Sequence, residues 1–290
     1  MIKLGIDTEV VAATARGMYW PHLAGLKQER ESLDKEYDWH ADGFAWELCV
    51  QPSSDPWDIM KYVASGIDHL TYEYGIEKIV APSIYQVPVT VVKEAPAEVK
   101  RLGCMPSFNI YPGQHAVPGG LGKRNRTTGC HLHVSAPEIG KENYAAIVAW
   151  ADIFVGGTWT SISPESLVDE RLRRKYYGRA GEHRVRYYDR ATKLFGVEYR
   201  SLPGTVLHHP VYLHLMLRLM KLACQRALTD GMPPESLTNL AVQTINKAYR
   251  KSDILDQVGP MFSMELHESI EHARYTRAKT LDVSAWREIK

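Results

Sequence analysis

Apolar and polar residues alternate in several short segments of the first two thirds of the chain, which is the pattern of half-buried strands. Residues 3–10 show this pattern clearly, with Leu4 and Ile6 set between polar neighbours. A turn signal at 42–43 introduces a second predicted strand at 44–51. Further strands are predicted at 78–80, 87–92, 131–135 and 196–202.

Helices are predicted where apolar residues recur at spacings of three and four. Asp55 and Pro56 begin the first helix, and Gly75 ends it. Later helices are predicted at 143–155 (amphipathic and closing on Gly156 and Gly157), from Pro210 to Gly231, after Pro234 and from Met264 onward. The partial segregation of strands and helices predicts an α+β fold, with a mainly antiparallel sheet backed by helices. Because no internal repeat or low-complexity linker interrupts the chain, a single domain is predicted over residues 1–290.

The composition is that of an ordinary globular protein, with 44% hydrophobic and 24% charged residues. A formal net charge of +1 provides no global field toward nucleic acid or a membrane. No apolar run reaches the roughly 20 residues that span a bilayer, and the first residues lack the pattern of a signal peptide. The four cysteines are scattered without a CxxC pair, which predicts a reducing, cytoplasmic compartment.

Acidic side chains occupy unusual positions in the predicted strands. Asp7 and Glu9 are two residues apart and therefore share one face of the first strand. Glu47 lies inside the apolar segment 44–50, where a buried acid needs a cationic partner, either a metal or an arginine. Asp7 and Glu9 could equally well lie on the solvent-exposed face of an edge strand. Such exposure accounts less well for Glu47, because its neighbours are apolar.

Two later strands also carry reactive side chains at alternate positions. His131, His133 and Ser135 share one face of their strand, and Glu198 and Arg200 share one face of the next. Taken alone, the two histidines are more often a hydrogen-bonded pair than metal ligands, and Glu198 with Arg200 would form a cross-strand row of ion pairs. Together with the acids, these side chains favour a binding site for a cation.

The types of donor atom favour a hard cation that holds phosphate oxygens. Carboxylates with one imidazole suit Mg²⁺ or Mn²⁺, whereas zinc would more often recruit pairs of cysteines. A Walker-type phosphate loop is not found, because Gly122 and Lys123 are followed by Arg124. Arginines are abundant in 171–193, and they bind phosphate oxygens with two-pronged geometry. A mobile basic loop is also predicted at 112–129.

The order of these motifs resembles the phage-type carboxylate–amine ligases, a branch of the glutamine synthetase and glutamate–cysteine ligase superfamily. The segment 5–9 is similar to the family's first acidic strand, and 42–52 is similar to its second strand. The segment 128–135 is similar to the strand with two alternating histidines, and 196–200 to the closing strand. The resemblance covers residues 2–202. It implies a catalytic domain like that of glutamine synthetase, in the host cytoplasm if the protein is phage-encoded.

The resemblance also implies two metal sites. One metal would lie between Glu9 and Glu47, and a second would be bound by Asp7, His131 and Glu198. Asp7 departs from the family pattern, because glutamine synthetase has a glutamate there. A third carboxylate expected at the first metal has no clear counterpart in the sequence.

Further residues match family positions that contact the nucleotide. His133 and Ser135 match positions that contact ATP, and Arg200 matches the arginine near the transferred phosphoryl group. The resemblance implies that Arg184 or Arg186 supplies another phosphate contact. The candidate catalytic residues are therefore Arg186, Glu198 and Arg200.

The predicted activity is ATP- and magnesium-dependent joining of a carboxylate to an amine through an acyl-phosphate, with release of ADP and phosphate. Two alternatives stay open. The first is phosphotransfer to a guanidino or similar acceptor on the same fold. The second is a non-enzymatic nucleic-acid-binding protein that uses 171–193, which would leave the acids and histidines on the strands without a purpose. The identities of the acid and the amine, small molecules or peptides, and the oligomeric state stay open.

Overall fold

A computed structural model describes residues 1–27, 35–100, 107–113, 124–164, 167–189, 194–248 and 253–289. The strands of this part of the chain are β1 (Lys3–Thr14), β2 (Gly17–Tyr19), β3 (Tyr37–Asp42), β4 (Ala45–Val50), β5 (Lys78–Val80), β6 (Ile84–Gln86), β7 (Phe108–Asn109), β8 (Asn125–Thr127), β9 (Cys130–Ser135), β10 (Glu182–Asp189) and β11 (Leu194–Tyr199). Its α-helices are α1 (Pro56–Glu73), α2 (Val89–Glu94), α3 (Ala97–Lys100), α4 (Tyr144–Ala151), α5 (Gly157–Ile162), α6 (Leu167–Tyr176), α7 (Pro210–Asp230), α8 (Glu235–Lys247), α9 (Asp253–Val258), α10 (Met264–Thr276) and α11 (Val283–Arg287). A π-helical turn, Asp152–Gly156, joins α4 to α5.

Nine of the described strands form one sheet. Seven of them follow the order β3-β4-β1-β9-β11-β10-β7, and β2 and β5 also pair with β1. All of these pairings are antiparallel. Strands β6 and β8 form a separate two-stranded sheet. The fold is therefore α+β with a large antiparallel sheet backed by helices, as the sequence predicts.

The two faces of the large sheet differ because successive residues of a strand point to opposite sides. On one face, Leu4, Ile6, Leu132 and Val134 are buried in the main hydrophobic core. Three helices cover this face: α1 contacts β1, β3 and β4, α4 contacts β11, and α7 contacts β9. The opposite face carries the polar side chains of the same strands.

Most elements predicted from the sequence are confirmed, although their ends differ by a few residues. Strands β1, β4, β5, β9 and β11 lie where alternation predicts them, and α7, α8 and α10 follow their predicted start signals. The Asp55 side chain caps α1 by accepting a hydrogen bond from the Trp57 N–H (2.9 Å). Gly75, just after this helix, has a φ of +61°, which glycine adopts at little cost.

The strand predicted at 87–92 is wrong, because residues Val89–Glu94 form the helix α2. Pro88 precedes the helix with a φ of −56°, close to the helical value, and its carbonyl accepts a hydrogen bond from the Val92 N–H (3.0 Å). The β-branched valines favoured a strand. Valine favours strands because it packs well on a half-buried sheet surface. No side chain of α2 is fully buried, so this preference does not apply here.

The helix predicted at 143–155 neither ends at Gly156 nor has a polar face. It continues through the π-helical turn into α5 and ends at Ile162. Gly156 serves close packing instead, since a Cβ there would overlap the Tyr199 hydroxyl. Contrary to the expectation from the sequence, the stretch Tyr144–Ile162 is long and apolar enough to cross a membrane, but 89% of its most apolar window is buried inside the fold. Burial of this extent is what the core helix of a sheet-and-helix protein shows.

Candidate active site

The polar face of the sheet collects the side chains that the sequence singles out. They are Asp7 and Glu9 of β1, Glu47 of β4, His131, His133 and Ser135 of β9, Arg184 and Arg186 of β10 and Glu198 of β11, with Arg200 directly after β11. The antiparallel register sets Asp7 opposite His131 and Glu9 opposite Glu47. Ser135 lies farther along this face, opposite Gly196.

Carboxyl groups are crowded where β1, β4 and β3 meet. Glu9 Oε2 accepts a hydrogen bond from the Gly129 N–H (2.9 Å), and Glu47 Oε2 lies 2.8 Å from His40 Nε2. Burial, together with the charges of Asp42 and Glu47, raises the pKa of Glu9 well above its ordinary value. Burial also raises the pKa of Glu47; the hydrogen bond from His40 opposes this shift and the charge of Asp42 adds to it. A divalent cation would stabilise carboxyl groups crowded in this way.

Asp7 and His133 form a buried ion pair, with Asp7 Oδ2 3.0 Å from His133 Nε2. Burial alone would raise the pKa of Asp7, but the His133 imidazolium lowers it far below its ordinary value. Burial opposes protonation of His133, yet the Asp7 carboxylate raises the pKa of that imidazole. The resemblance implied that Asp7 shares a metal with His131. A metal at Asp7 would have to replace the protonated His133 as its partner.

The imidazole of His131 is hydrogen-bonded at one nitrogen and lies near a carboxylate at the other. Nδ1 lies 3.6 Å from Glu198 Oε1, and Nε2 lies 2.6 Å from the Tyr177 hydroxyl. A Cβ on Gly129 would come within 2.6 Å of Nε2, so a glycine lets the ring lie here. Burial, reinforced by the charge of Arg200, lowers the pKa of His131 well below its ordinary value. The ring is therefore neutral near pH 7, the state in which a histidine nitrogen can bind a metal.

Three arginines surround the carboxylate of Glu198. Arg186 Nε lies 3.1 Å from Oε2, and Arg184 Nη1 lies 3.8 Å from Oε1. Arg200 Nη1 makes the closest contact, with Oε1. Burial would raise the pKa of Glu198, but Arg200 and the neighbouring cations lower it. The row of ion pairs considered from the sequence is therefore present, and within it Arg186 is 47% exposed and can reach a ligand.

The two metal sites implied by the resemblance differ in how well their donors fit a cation. At Glu9 and Glu47, burial and neighbouring carboxylates raise the pKa of both acids, so a hard divalent ion fits the donor set. At Glu198, arginines already supply the positive charge. A cation between Glu198 and His131 fits only if Arg200 turns to another anion, such as a phosphate.

The described part of the arginine-rich segment, 171–189, runs through α6, a short connection with Arg179, and β10, so its arginines do not form one basic surface. Arg173 and Arg174 of α6 are buried, and both donate hydrogen bonds to main-chain carbonyls beside the sheet. These two arginines tie α6 to the sheet and are not accessible to nucleic acid. Arg190 and Lys193 lie outside the described residues.

The basic loop predicted at 112–129 lies partly outside the described residues, which omit 114–123 and therefore Lys123. Arg124 donates a hydrogen bond to a main-chain carbonyl (3.1 Å). The Arg126 guanidinium lies 5.2 Å from the centre of a phenylalanine ring. Both side chains thus bind other parts of the same protein.

Sequence reasoning missed four residues of the site: His40, Asp42, Cys49 and Tyr177. The first two lie on β3, which was not predicted, although 37–42 alternates acids and a histidine with apolar residues. That alternation was a usable signal. Tyr177 carried no local signal, because it follows α6 and reaches His131 only through the folded chain.

No protein-family profile and no curated protein sequence matches the chain. Among solved structures, one described as "Crystal structure of a bifunctional glutathione synthetase from Pasteurella multocida" aligns with 99% of this chain and 48% of its own chain. The identity is 13% and the TM-score is 0.49. The chain spans about half the length of that protein. A similarity of this size identifies neither a family nor a reaction for the chain.

Proposed function

We propose that the chain is an ATP- and magnesium-dependent ligase that joins a carboxylate to an amine through an acyl-phosphate. One observation carries the proposal: carboxylates, a neutral imidazole and guanidinium groups from five neighbouring strands converge on the polar face of the sheet. A reaction that brings a carboxylate to a polyphosphate must neutralise several negative charges in one place. This donor set is suited to that task.

Two cations are proposed at the site. The residues that would hold them are Glu9, Glu47 and Asp42 for one, and Asp7, His131 and Glu198 for the other. Mg²⁺ or Mn²⁺ bound there would supply positive charge to the phosphate oxygens. Asp42 becomes a candidate for the third carboxylate that the sequence alone did not provide, because its charge raises the pKa of both Glu9 and Glu47.

The residues proposed to contact ATP are His133, Ser135, Arg184, Arg186 and Arg200. Arg186 is the most exposed of the three arginines around Glu198, so it is suited to meet the incoming nucleotide. Arg200 is fully buried, and its Nε donates to Ser107 Oγ (3.0 Å). With Nε held by Ser107 and its Nη atoms turned from Glu198, the Arg200 guanidinium would meet the phosphoryl group as it moves to the substrate carboxylate.

The order of motifs along the chain also supports the proposal, since it resembles that of the phage-type carboxylate–amine ligases. Glu9 and Glu47, which the resemblance assigns to one metal, face each other across neighbouring strands. An acid and an amine, small molecules or peptides, are the proposed partners. The cytoplasmic location and the single domain stay predictions.

Hydroxylamine tests the reaction because it can replace an unidentified amine. The protein is incubated with ATP, Mg²⁺, hydroxylamine and pools of carboxylic acids. The expected products are a hydroxamate, ADP and phosphate. AMP and pyrophosphate would refute the acyl-phosphate, and ADP with a phosphorylated acceptor but no hydroxamate would identify the alternative phosphotransferase. Glu47→Gln should be inactive, whereas Glu268→Gln, an exposed change on α10, should retain activity.

A further inference from the structure

Strands β3 and β4 place an imidazole, a carboxylate and a thiol on the same face of the sheet. His40 lies directly opposite Glu47, and Cys49 is two residues farther along β4. His40 Nε2 is 2.8 Å from Glu47 Oε2, and His40 Nδ1 is 3.9 Å from Cys49 Sγ. Each of the three residues offers one ligand atom within 4.8 Å of the others.

This donor set differs from the one proposed for magnesium. Thiolate and imidazole are ligands that zinc prefers, whereas Mg²⁺ takes oxygen ligands and does not recruit sulfur. A tetrahedral ion with bonds of about 2.0 to 2.3 Å holds its ligand atoms roughly 3.3 to 3.8 Å apart. The three ligand atoms lie within 4.8 Å of one another, so side-chain rotation would bring them to that spacing with a single His40 nitrogen bound to the ion. We infer that His40, Glu47 and Cys49 form a binding site for a thiophilic divalent cation of the zinc class.

The surroundings of Cys49 fit this assignment. The thiol is buried, whereas His40 and Glu47 are 12% and 13% exposed, so a small ion can approach from their side. Asp7 lies opposite Cys49 on β1, and its carboxylate accepts a hydrogen bond from the thiol. Binding of the cation would release the thiol proton to solvent and form a metal–sulfur bond. The same three groups have the order of a nucleophile–imidazole–carboxylate triad, but a substrate carbonyl cannot reach a sulfur that is only 2% exposed.

The magnesium site and the site formed by His40, Glu47 and Cys49 would share Glu47. The effect of this sharing on turnover rests on the proposed ligase function. A thiophilic cation at this site would take Glu47 from the magnesium site, so zinc should inhibit magnesium-dependent turnover. Binding of the thiophilic cation itself does not depend on the ligase activity. A failed cation-binding experiment would therefore leave the ligase proposal standing, and an inactive ligase would leave the cation site standing.

Cobalt is a spectroscopic probe for this site and is used without ATP. Co²⁺ bound to a thiolate gives a near-ultraviolet charge-transfer band, which we expect in the wild type and not in Cys49→Ser. His40→Gln should weaken cobalt binding by more than the roughly 10- to 100-fold typical of an outer-sphere partner. Cys224→Ser, a change at a buried thiol in α7, is the matched control and should retain the band. Cys104 lies outside the described residues, so Cys104→Ser is measured in parallel and should also retain it.

Two further measurements do not depend on whether the variants fold. Zn²⁺ should displace Co²⁺ and abolish the band, while Mg²⁺ in about 100-fold excess should leave it unchanged. X-ray absorption of the zinc-loaded wild type should show one sulfur at about 2.3 Å together with nitrogen or oxygen ligands. Absence of that sulfur, displacement of cobalt by magnesium, or loss of the band in a Cys104→Ser variant with the wild-type circular dichroism spectrum would each overturn the assignment.

Discussion

Asp152 is an aspartate buried on the core side of the sheet, in the π-helical turn between α4 and α5. Its Oδ1 accepts a hydrogen bond from the Tyr199 hydroxyl (2.8 Å). Burial raises the pKa of Asp152 to about 7, against hydrogen bonds that favour the charged form. We predict that Asp152→Asn stabilises the protein above neutral pH, and that this advantage disappears toward pH 4.

The sign and size of this effect follow from proton binding. The unfolded chain releases the Asp152 proton near its ordinary pKa of 3.8, whereas the native state keeps it until about pH 7. Between these values the native state binds one more proton than the unfolded chain, so the stability of the wild type falls as pH rises. At about 1.4 kcal/mol per pH unit, the interval corresponds to roughly 4 kcal/mol. Asparagine resembles the protonated acid and can still accept from Tyr199, so the variant avoids this loss.

Urea unfolding between about pH 5 and about pH 8 measures the effect. The free energy of unfolding of Asp152→Asn minus that of the wild type should rise with pH and level off above about pH 7. Taking this difference removes the contributions of groups that titrate alike in both proteins. One such group is His208, whose pKa burial lowers to about 4. Asp230→Asn, a change at an exposed aspartate ending α7, should show no comparable rise. A difference that does not vary with pH would refute the argument that Asp152 is neutral in the native state.

Four shorter predictions concern the site. Mg²⁺ or Mn²⁺ with ATP should raise the melting temperature, and Glu47→Gln should lose most of that rise; an unchanged rise would remove Glu47 from the site. Arg200→Lys should lower turnover by about 100-fold or more, with ATP affinity within a few-fold, because lysine lacks the two-pronged geometry; near-normal turnover would contradict its role. Tyr177→Phe keeps the ring beside Arg200 but loses the hydrogen bond to His131, so affinity for the second Mn²⁺, measured by EPR with a non-hydrolysable ATP analogue, should fall roughly 10-fold or more, while the exposed control Tyr275→Phe should not change it. Mn²⁺ titration should show one tight ion without nucleotide and two with a non-hydrolysable ATP analogue; two tight ions without nucleotide would contradict the requirement that a phosphate release Glu198.

The polar face of the sheet could be predicted from the sequence because alternation is a local property. In β1 and β9, residues two apart share a face in any strand, whatever its neighbours are. Glu47 was identifiable for a different local reason, since an acid inside an apolar segment must find a partner. These arguments use only residues close together in the sequence, and the shared faces that they predict for β1 and β9 are those of the structure.

Pairings between strands could not be obtained in the same way. Whether Asp7 meets His131 or His133 depends on the register and on side-chain rotation, and the carboxylate contacts His133 although His131 lies opposite. The predicted end of the helix at 143–155 was wrong for a related reason. Glycines end many helices, but Gly156 is needed where the Tyr199 hydroxyl approaches the helix, a contact that only the tertiary fold creates.

The Glu9–Glu47 half of the site and the Glu198 half differ in how their negative charge is neutralised. This difference predicts an order in which the cations and the nucleotide bind. Burial and crowded carboxyl groups raise the pKa of Glu9 and Glu47. A cation would relieve the repulsion between these groups, so it can bind there favourably without any rearrangement. Glu198 is already neutralised by arginines, so a cation gains little there until another anion draws those arginines away. The phosphates of ATP are such an anion. Under the proposed function, the second cation and the nucleotide would therefore depend on each other, while the first cation would bind alone.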